Sequence, residues 1–248
     1  MKILCVIPAR YASSRFPGKP LADICGKTMI RRVYERVELS AVGDVCVATD
    51  DQRIFDEVRS FGGNVVMTGE HRSGTDRCFE AYKKCGGNYD AVINIQGDEP
   101  LINPEQIRQL AHSLEQGTQI VTMAAAITDR IEVLDENVVK VVFNVAGKAL
   151  YFSRHAIPFL RGTNREQWFD TNTYFKHIGM YGFRADVFAA IVKCQPSKLE
   201  IAESLEQLRW LENGYSIQVE ITDKQNYSVD TQDDLIKIVN TLKTNAEN

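Results

Sequence analysis

The chain of 248 residues carries 29 Lys and Arg against 33 Asp and Glu, with 44% hydrophobic and 25% charged residues. That length suits one large α/β domain or two small ones, and the composition excludes a disordered, collagen-like or coiled-coil chain. The net charge of -4 hides an asymmetry: residues 1–36 hold eight basic groups against two acidic ones, and residues 199–248 hold ten acidic against four basic. Such polarity either steers an anionic ligand or belongs to solvated faces.

The apolar run at residues 3–7 stops at Pro8 and Arg10, too short for a secretory leader, and no stretch approaches the roughly 18 apolar residues of a membrane span. The six cysteines, Cys5, Cys25, Cys46, Cys78, Cys85 and Cys194, form no CxxC pair and no metal-ligand spacing. A reduced, cytoplasmic protein without structural zinc, binding neither nucleic acid nor membrane, is expected.

Short β-branched runs alternate with helical patterns through the first half, which predicts a doubly wound, mostly parallel α/β sheet. In chain order the pattern predicts a strand at 3–8, a helix at 29–39, a strand at 45–48, a helix at 52–61 and a strand at 64–67. A helix at 75–84, a strand at 91–95, a helix at 104–114 begun by Pro104 and a strand at 120–127 follow. Beyond about residue 130 the rhythm changes. Segments 138–143 and 148–153 read as a hairpin about the turn at 144–147, 161–173 is irregular, and 178–183 is a strand. Helices at 186–193 and 198–212, a strand at 215–221 and a final helix after Asp230 complete the chain. The expected organisation is one domain over 1–248 with a smaller sheet lobe inserted at about 131–185.

In open α/β sheets ligands bind beyond the carboxyl ends of the strands, so the segments that follow strands carry the chemistry. The first is Pro8-Ala-Arg-Tyr-Ala-Ser-Ser-Arg-Phe-Pro-Gly-Lys-Pro20, which sets Arg10, Arg15 and Lys19 among small residues and prolines. Small residues admit phosphate oxygens to backbone N–H groups, arginine grips them with a planar fork, and lysine adds a mobile charge. It is neither a Walker A loop nor GxGxxG, and a solvated basic loop is the alternative.

The second is Asn94-Ile-Gln-Gly-Asp-Glu-Pro100, where a strand delivers Asp98 into a proline-fixed turn. One or two carboxylates with phosphate oxygens and water suit Mg²⁺, although Gly-Asp also makes ordinary turns. The third is Ser228-Val-Asp-Thr-Gln-Asp-Asp234, where Asp230 or Thr231 could cap the last helix and Asp230 could equally join Asp98 around a cation.

These segments, with Ala48-Thr-Asp50, His71-Arg-Ser-Gly-Thr-Asp-Arg77, Leu150-Tyr-Phe-Ser-Arg154, His177-Ile-Gly-Met-Tyr-Gly182, Leu205-Glu-Gln-Leu-Arg209 and Val229-Asp-Thr231, occur in one order from first strand to last helix. Together they resemble the 3-deoxy-manno-octulosonate cytidylyltransferase (CMP-Kdo synthetase) family. The resemblance implies a fold of the nucleotide-diphospho-sugar transferase type. It also implies Mg²⁺-dependent attack of the anomeric hydroxyl of Kdo on the α-phosphate of CTP, giving CMP-Kdo and pyrophosphate for lipopolysaccharide biosynthesis, in a homodimer.

By the same resemblance Arg10, Ser13, Arg15 and Lys19 hold the triphosphate, with Arg10 and Lys19 acting in catalysis. Arg72, Ser73 and Arg77 approach the cytosine or its phosphates, and Asp98 and Asp230 hold the metal. Gln96, Arg154, His177, Tyr181, Glu206 and Gln207 form the sugar-acid pocket in the inserted lobe, which also serves dimerisation. His177 also reads as a packed structural histidine, and one of Glu206 and Gln207 as solvent-facing beside apolar Leu205, Leu208 and Leu211.

Rival readings are an enzyme for 8-amino-Kdo or a sialic-acid-like acid, a UTP- or GTP-using relative, and a non-catalytic nucleotide sensor. Ala9-Arg-Tyr-Ala12 replaces the Gly-Gly pair usual in the UTP and GTP enzymes, and retention of both aspartates disfavours a sensor.

Overall fold

The computed structural model describes residues 1–12, 15–71, 73–224 and 226–246. The chain divides into two compact units, one of Met1–Ala111 with Asn226–Asn248 and one of His112–Gln225.

In the first unit β1 (Ile3–Ala9) is buried along almost its whole length, as an apolar run covered on both faces must be. A 3-10 turn (Lys19–Leu21) and a small antiparallel hairpin, β2 (Asp23–Ile24) with β3 (Lys27–Thr28), lead into α1 (Met29–Glu38). The hairpin is absent from the sequence pattern because two-residue strands have no period to read. Next come β4 (Asp44–Thr49), α2 (Gln52–Ser60), β5 (Val65–Met67), α3 (Gly74–Lys84) and β6 (Ala91–Asn94), and α4 (Pro104–Glu115) follows. Helices start where capping side chains stop the extended chain: Asp51 accepts from Arg53 N ahead of α2, and Ser73 from Asp76 N ahead of α3.

The strands of this unit run parallel in the order β6-β1-β4-β5. The chain therefore winds outward from β1 through β4 to β5 and then returns to β1's other side. Right-handed crossovers put α1 and α2 on one face and α3 on the opposite one. The order reverses between β1 and β6, so the segments after those two strands flank the switch point, where a doubly wound sheet binds its ligand.

The second unit holds β7 (Ile120–Ala126), α5 (Arg130–Leu134), β8 (Lys140–Phe143), β9 (Ala149–Ser153), α6 (Trp168–Thr171), β10 (Phe175–Arg184), α7 (Ala185–Ile191), α8 (Lys198–Glu203), α9 (Gln207–Glu212) and β11 (Gln218–Thr222). Its strands are ordered β11-β7-β10-β8-β9, with β11 parallel to β7 and the other pairs antiparallel. The expected hairpin is β8–β9, turned at Gly147 with φ +72° while Asn144 Oδ1 accepts from Ala146 N and Lys148 N.

Residues 198–212 are two helices rather than the single one expected. Ser204 turns left-handed at φ 53° and ends α8, which Ser197 and Glu200 open with a reciprocal capping box. The irregular stretch 161–173 contains a 3-10 turn (Arg165–Gln167) and α6 around the buried Trp168. The final helix, α10 (Gln232–Ala246), returns to the first unit and packs Leu235 and Ile238 with Ile24, Met29 and Val229. Among the described residues no helix is long and apolar enough to cross a membrane.

Candidate active site

At the switch point of the first unit a cleft of about 230 Å³ is lined by Arg10, Arg15, Lys19, Ser73, Arg77, Gln96, Asp98 and Asp230, all expected from the sequence, and by His71, which was not. Two of the expected site residues, Ser13 and Arg72, lie outside the described residues.

Two glycines shape the walls. A Cβ on Gly97 would lie 2.8 Å from the Pro8 carbonyl oxygen, so only glycine lets the turn after β6 press against the end of β1. Gly18, at φ +73°, donates its N–H to the Tyr11 carbonyl and leaves no room for a side chain beneath the Tyr11 ring. That bond closes the basic loop and delivers Lys19 to the cleft.

The Lys19 ammonium lies 2.6 Å from Asp98 Oδ2, 3.3 Å from Asp230 Oδ1 and 2.9 Å from the Val229 carbonyl, while Arg15 Nη2 reaches Asp230 Oδ1 at 3.1 Å. Asp230 does not cap α10. Thr231 does, accepting from Asp234 N, while the Asp234 carboxylate reaches back to Thr231 N, so the Asp230 side chain is spared for the cleft. Val229 N donates to the Asp98 carbonyl at 2.9 Å and ties the two acidic segments together.

Ser73 both lines the cleft and caps α3, whose N-terminal dipole favours anions there. Arg77 is almost wholly buried and committed to Asp50 Oδ2 at 2.5 Å and Thr68 Oγ1 at 2.7 Å. His71 Nε2 meets Glu80 Oε2 at 2.5 Å. Lys84 and His71 together hold the Glu80 carboxyl down at about 2. Beside Asp98, burial pushes the Glu99 carboxyl up to about 7 despite the hydrogen bond from Asn226, and Asp98 adds to the rise. No role was expected of Asp50 or Glu99, although both lie in segments singled out in the sequence, nor of Glu80 or Asn226; Asp50 pairs with Arg77 across 27 residues and Glu99 with Asn226 across 127.

In the second unit, His177 Nε2 pairs with Thr122 Oγ1 at 2.9 Å, and burial drives its pKa down to about 3. Its ring lies 5.3 Å from that of Tyr181, beyond an irregularity in the β10 register between Ile178 and Tyr181. The Tyr181 hydroxyl is buried and meets no hydrogen-bond partner among the described residues, and burial followed by the nearby Glu206 charge raises its pKa well above normal. Glu206 immediately precedes α9, and Gln207, its first residue, is buried. Arg154 gives three of its guanidinium N–H groups to the carbonyls of Glu203, Glu136 and Ser204. Its own N–H and the Ser153 hydroxyl donate to the Glu203 carboxylate.

A model of the cytidylyltransferase family matches residues 4–221. The chain is 52% identical over 243 residues to a 3-deoxy-manno-octulosonate cytidylyltransferase of Parabacteroides distasonis, covering 96% of each chain. It is 51% identical to the protein of the same name from Cytophaga hutchinsonii, covering 97% of this chain and 98% of that one. A solved CMP:2-keto-3-deoxy-manno-octonic acid synthetase complexed with CTP superposes with a TM-score of 0.91 at 41% identity, over 99% of this chain and 100% of that one. The chain belongs to the cytidylyltransferase family.

Proposed function

We propose that this chain transfers the cytidylyl group of CTP to 3-deoxy-manno-octulosonate, giving CMP-Kdo and pyrophosphate. The observation that carries the reading is the Lys19 ammonium held between Asp98 and Asp230 at the switch point, with Arg10 and Arg15 beside it. Nucleotidyl transfer asks little covalent chemistry of a protein; it asks for in-line positioning and neutralised phosphate charge. The names and near-complete coverage of the relatives support the same reaction.

The carboxylates of Asp98 and Asp230 and the Val229 carbonyl are hard oxygen donors already gathered about one cation, so the set fits Mg²⁺. Held by the two aspartates, Mg²⁺ would polarise the α-phosphate and lower the pKa of the attacking hydroxyl. Arg10, Ser13 and Arg15 grip the triphosphate. Lys19 exchanges its carboxylate partners for phosphate oxygens as the nucleotide enters. Ser73 at the α3 N-terminus, with Arg72, meets the nucleotide, and Arg77 fixes that wall through Asp50. The anomeric oxygen of Kdo attacks the α-phosphorus, the bond to the bridging oxygen of pyrophosphate breaks, and the hydroxyl proton passes to solvent.

Arg154, His177, Tyr181, Glu206 and Gln207 of the second unit contact the sugar acid. The Tyr181 hydroxyl, which has no partner among the described residues, and the Arg154 guanidinium supply donors for hydroxyls and a carboxylate. The segment at about 131–185 is the sugar-binding and dimerisation lobe of a cytoplasmic homodimer, a reading supported by the exposed Leu150 and Phe159.

Pyrophosphate release tests the reading directly, with CTP, UTP, GTP or ATP against Kdo, 8-amino-Kdo or sialic acid. Turnover confined to CTP with Kdo is expected. Faster turnover with 8-amino-Kdo or sialic acid would reassign the acceptor, and no turnover with CTP and any of the three would exclude the activity.

A further inference from the structure

Asp98 and Asp230 sit on segments with very different support. Asp98 lies in the turn after β6, whereas residues 223, 224 and 226–230 belong to no helix or strand. Besides Lys19, which bridges the two segments, two further links join them. One is the backbone bond from Val229 N to the Asp98 carbonyl at 2.9 Å. The other is made of side chains. Asn226 Nδ2 donates to Glu99 Oε2 at 2.6 Å, and Asn226 Oδ1 accepts from Gln106 Nε2 at 2.6 Å. Gln106 is anchored in turn, since it lies in α4, is 1% exposed, and its Oε1 accepts from Asn103 N.

Each end of this clasp is buried, and each bond is short. An amide between a carboxylate acceptor and an amide donor has one orientation that satisfies both, which fixes Asn226 in rotation as well as in position. Four residues later the chain delivers Asp230, and one residue before Glu99 it delivers Asp98. The clasp therefore stands one step along the chain behind the carboxylate pair.

We infer that Glu99, acting through Asn226 and Gln106, is a positioning residue that sets the separation of the Asp98 and Asp230 carboxylates and with it the affinity of the site for a divalent cation. The inference rests on the assignment of those aspartates as the metal ligands. Loss of a group that orients metal ligands lowers metal affinity by roughly 10–100-fold in other proteins, and a comparable loss is expected here.

The test is Mn²⁺ binding by the full chain without nucleotide or acceptor, read from the electron paramagnetic resonance signal of free Mn²⁺. Asn226→Ala and Glu99→Ala are expected to weaken binding about tenfold or more, whereas Glu99→Gln, which keeps an acceptor for Asn226, stays within about threefold of wild type. Val58→Ala, a truncation in the buried face of α2 far along the chain from the clasp, serves as the folding control. It should lower the melting temperature and leave Mn²⁺ affinity unchanged. In turnover assays Asn226→Ala should raise the Mg²⁺ concentration at half-maximal rate about tenfold while kcat at saturating Mg²⁺ falls less than about threefold.

If Asp98→Asn abolishes Mn²⁺ binding but Asn226→Ala and Glu99→Ala bind as wild type, the clasp is a local structural feature and the inference is wrong. A Val58→Ala protein that loses affinity as much as the clasp variants do overturns it equally. Binding unchanged in Asp98→Asn removes the metal assignment itself, and the inference falls with it.

Discussion

Lys19 Nζ and Asp98 Oδ2 lie 2.6 Å apart, and the same ammonium also touches Asp230 and the Val229 carbonyl. A lysine thus stands where two carboxylates would otherwise repel each other, and the function proposed above has a divalent cation take its place.

Removing the tethered ammonium should separate its two tasks. In Lys19→Met, divalent-cation affinity without nucleotide should rise about tenfold, because a charge-assisted bond worth roughly 1.5–3 kcal/mol no longer competes. The KM for CTP should rise and kcat should fall by at least about tenfold. Titration calorimetry with Mn²⁺ and steady-state kinetics read the two effects separately, and a fall in cation affinity would contradict the exchange.

Gly97 should resist substitution. A Cβ 2.8 Å from the Pro8 oxygen forces the turn after β6 away from β1 and moves Asp98 with it. Gly97→Ala is expected to lower kcat about a hundredfold, the scale of a 1 Å misplacement, with melting reduced by several degrees. Wild-type kinetics would show that the turn has slack.

Arg77 and Asp50 form a pair whose arginine is 4% exposed. Arg77→Met should destabilise the fold by about 3 kcal/mol by stranding the carboxylate, and Arg77→Met with Asp50→Asn should recover a large part of that loss. Urea unfolding of the two single variants and the double variant measures the coupling.

His177 gives the fold an acid-sensitive element. Its folded pKa, about 3, lies below the ordinary value of 6.5, so its stability contribution is complete above pH 6.5 and is lost as pH falls toward 3. Each bound proton steepens the acid limb by up to about 1.4 kcal/mol per pH unit. His177→Gln should flatten the fall in melting temperature between pH 6.5 and 4.5, and an unchanged slope would place the acid sensitivity elsewhere.

The alternation of strand and helix was legible because buried parallel strands such as β1 and β6 must be apolar throughout, and because Pro104 announces the start of α4. The break at Ser204 was not, since a left-handed serine leaves no pattern in a run of good helix formers. The charges that line the cleft were legible as residues that follow strands. Their supports were not: Asp50 behind Arg77, Glu80 behind His71, and Asn226 behind Glu99 are joined across the fold by single hydrogen bonds that no periodicity encodes. The alternative roles of Asp230 were resolved only by geometry, because Thr231 and Asp234 make the capping box between themselves.

The most direct measurement of the central claim is pyrophosphate release from CTP and Kdo in Mg²⁺ by the wild-type protein, Asp98→Asn and Asp230→Asn, with melting curves recorded alongside. The account predicts that each substitution lowers kcat by about a thousandfold or more while the melting temperature changes by only a few degrees. A folded variant of either aspartate that turns over at near the wild-type rate would contradict it.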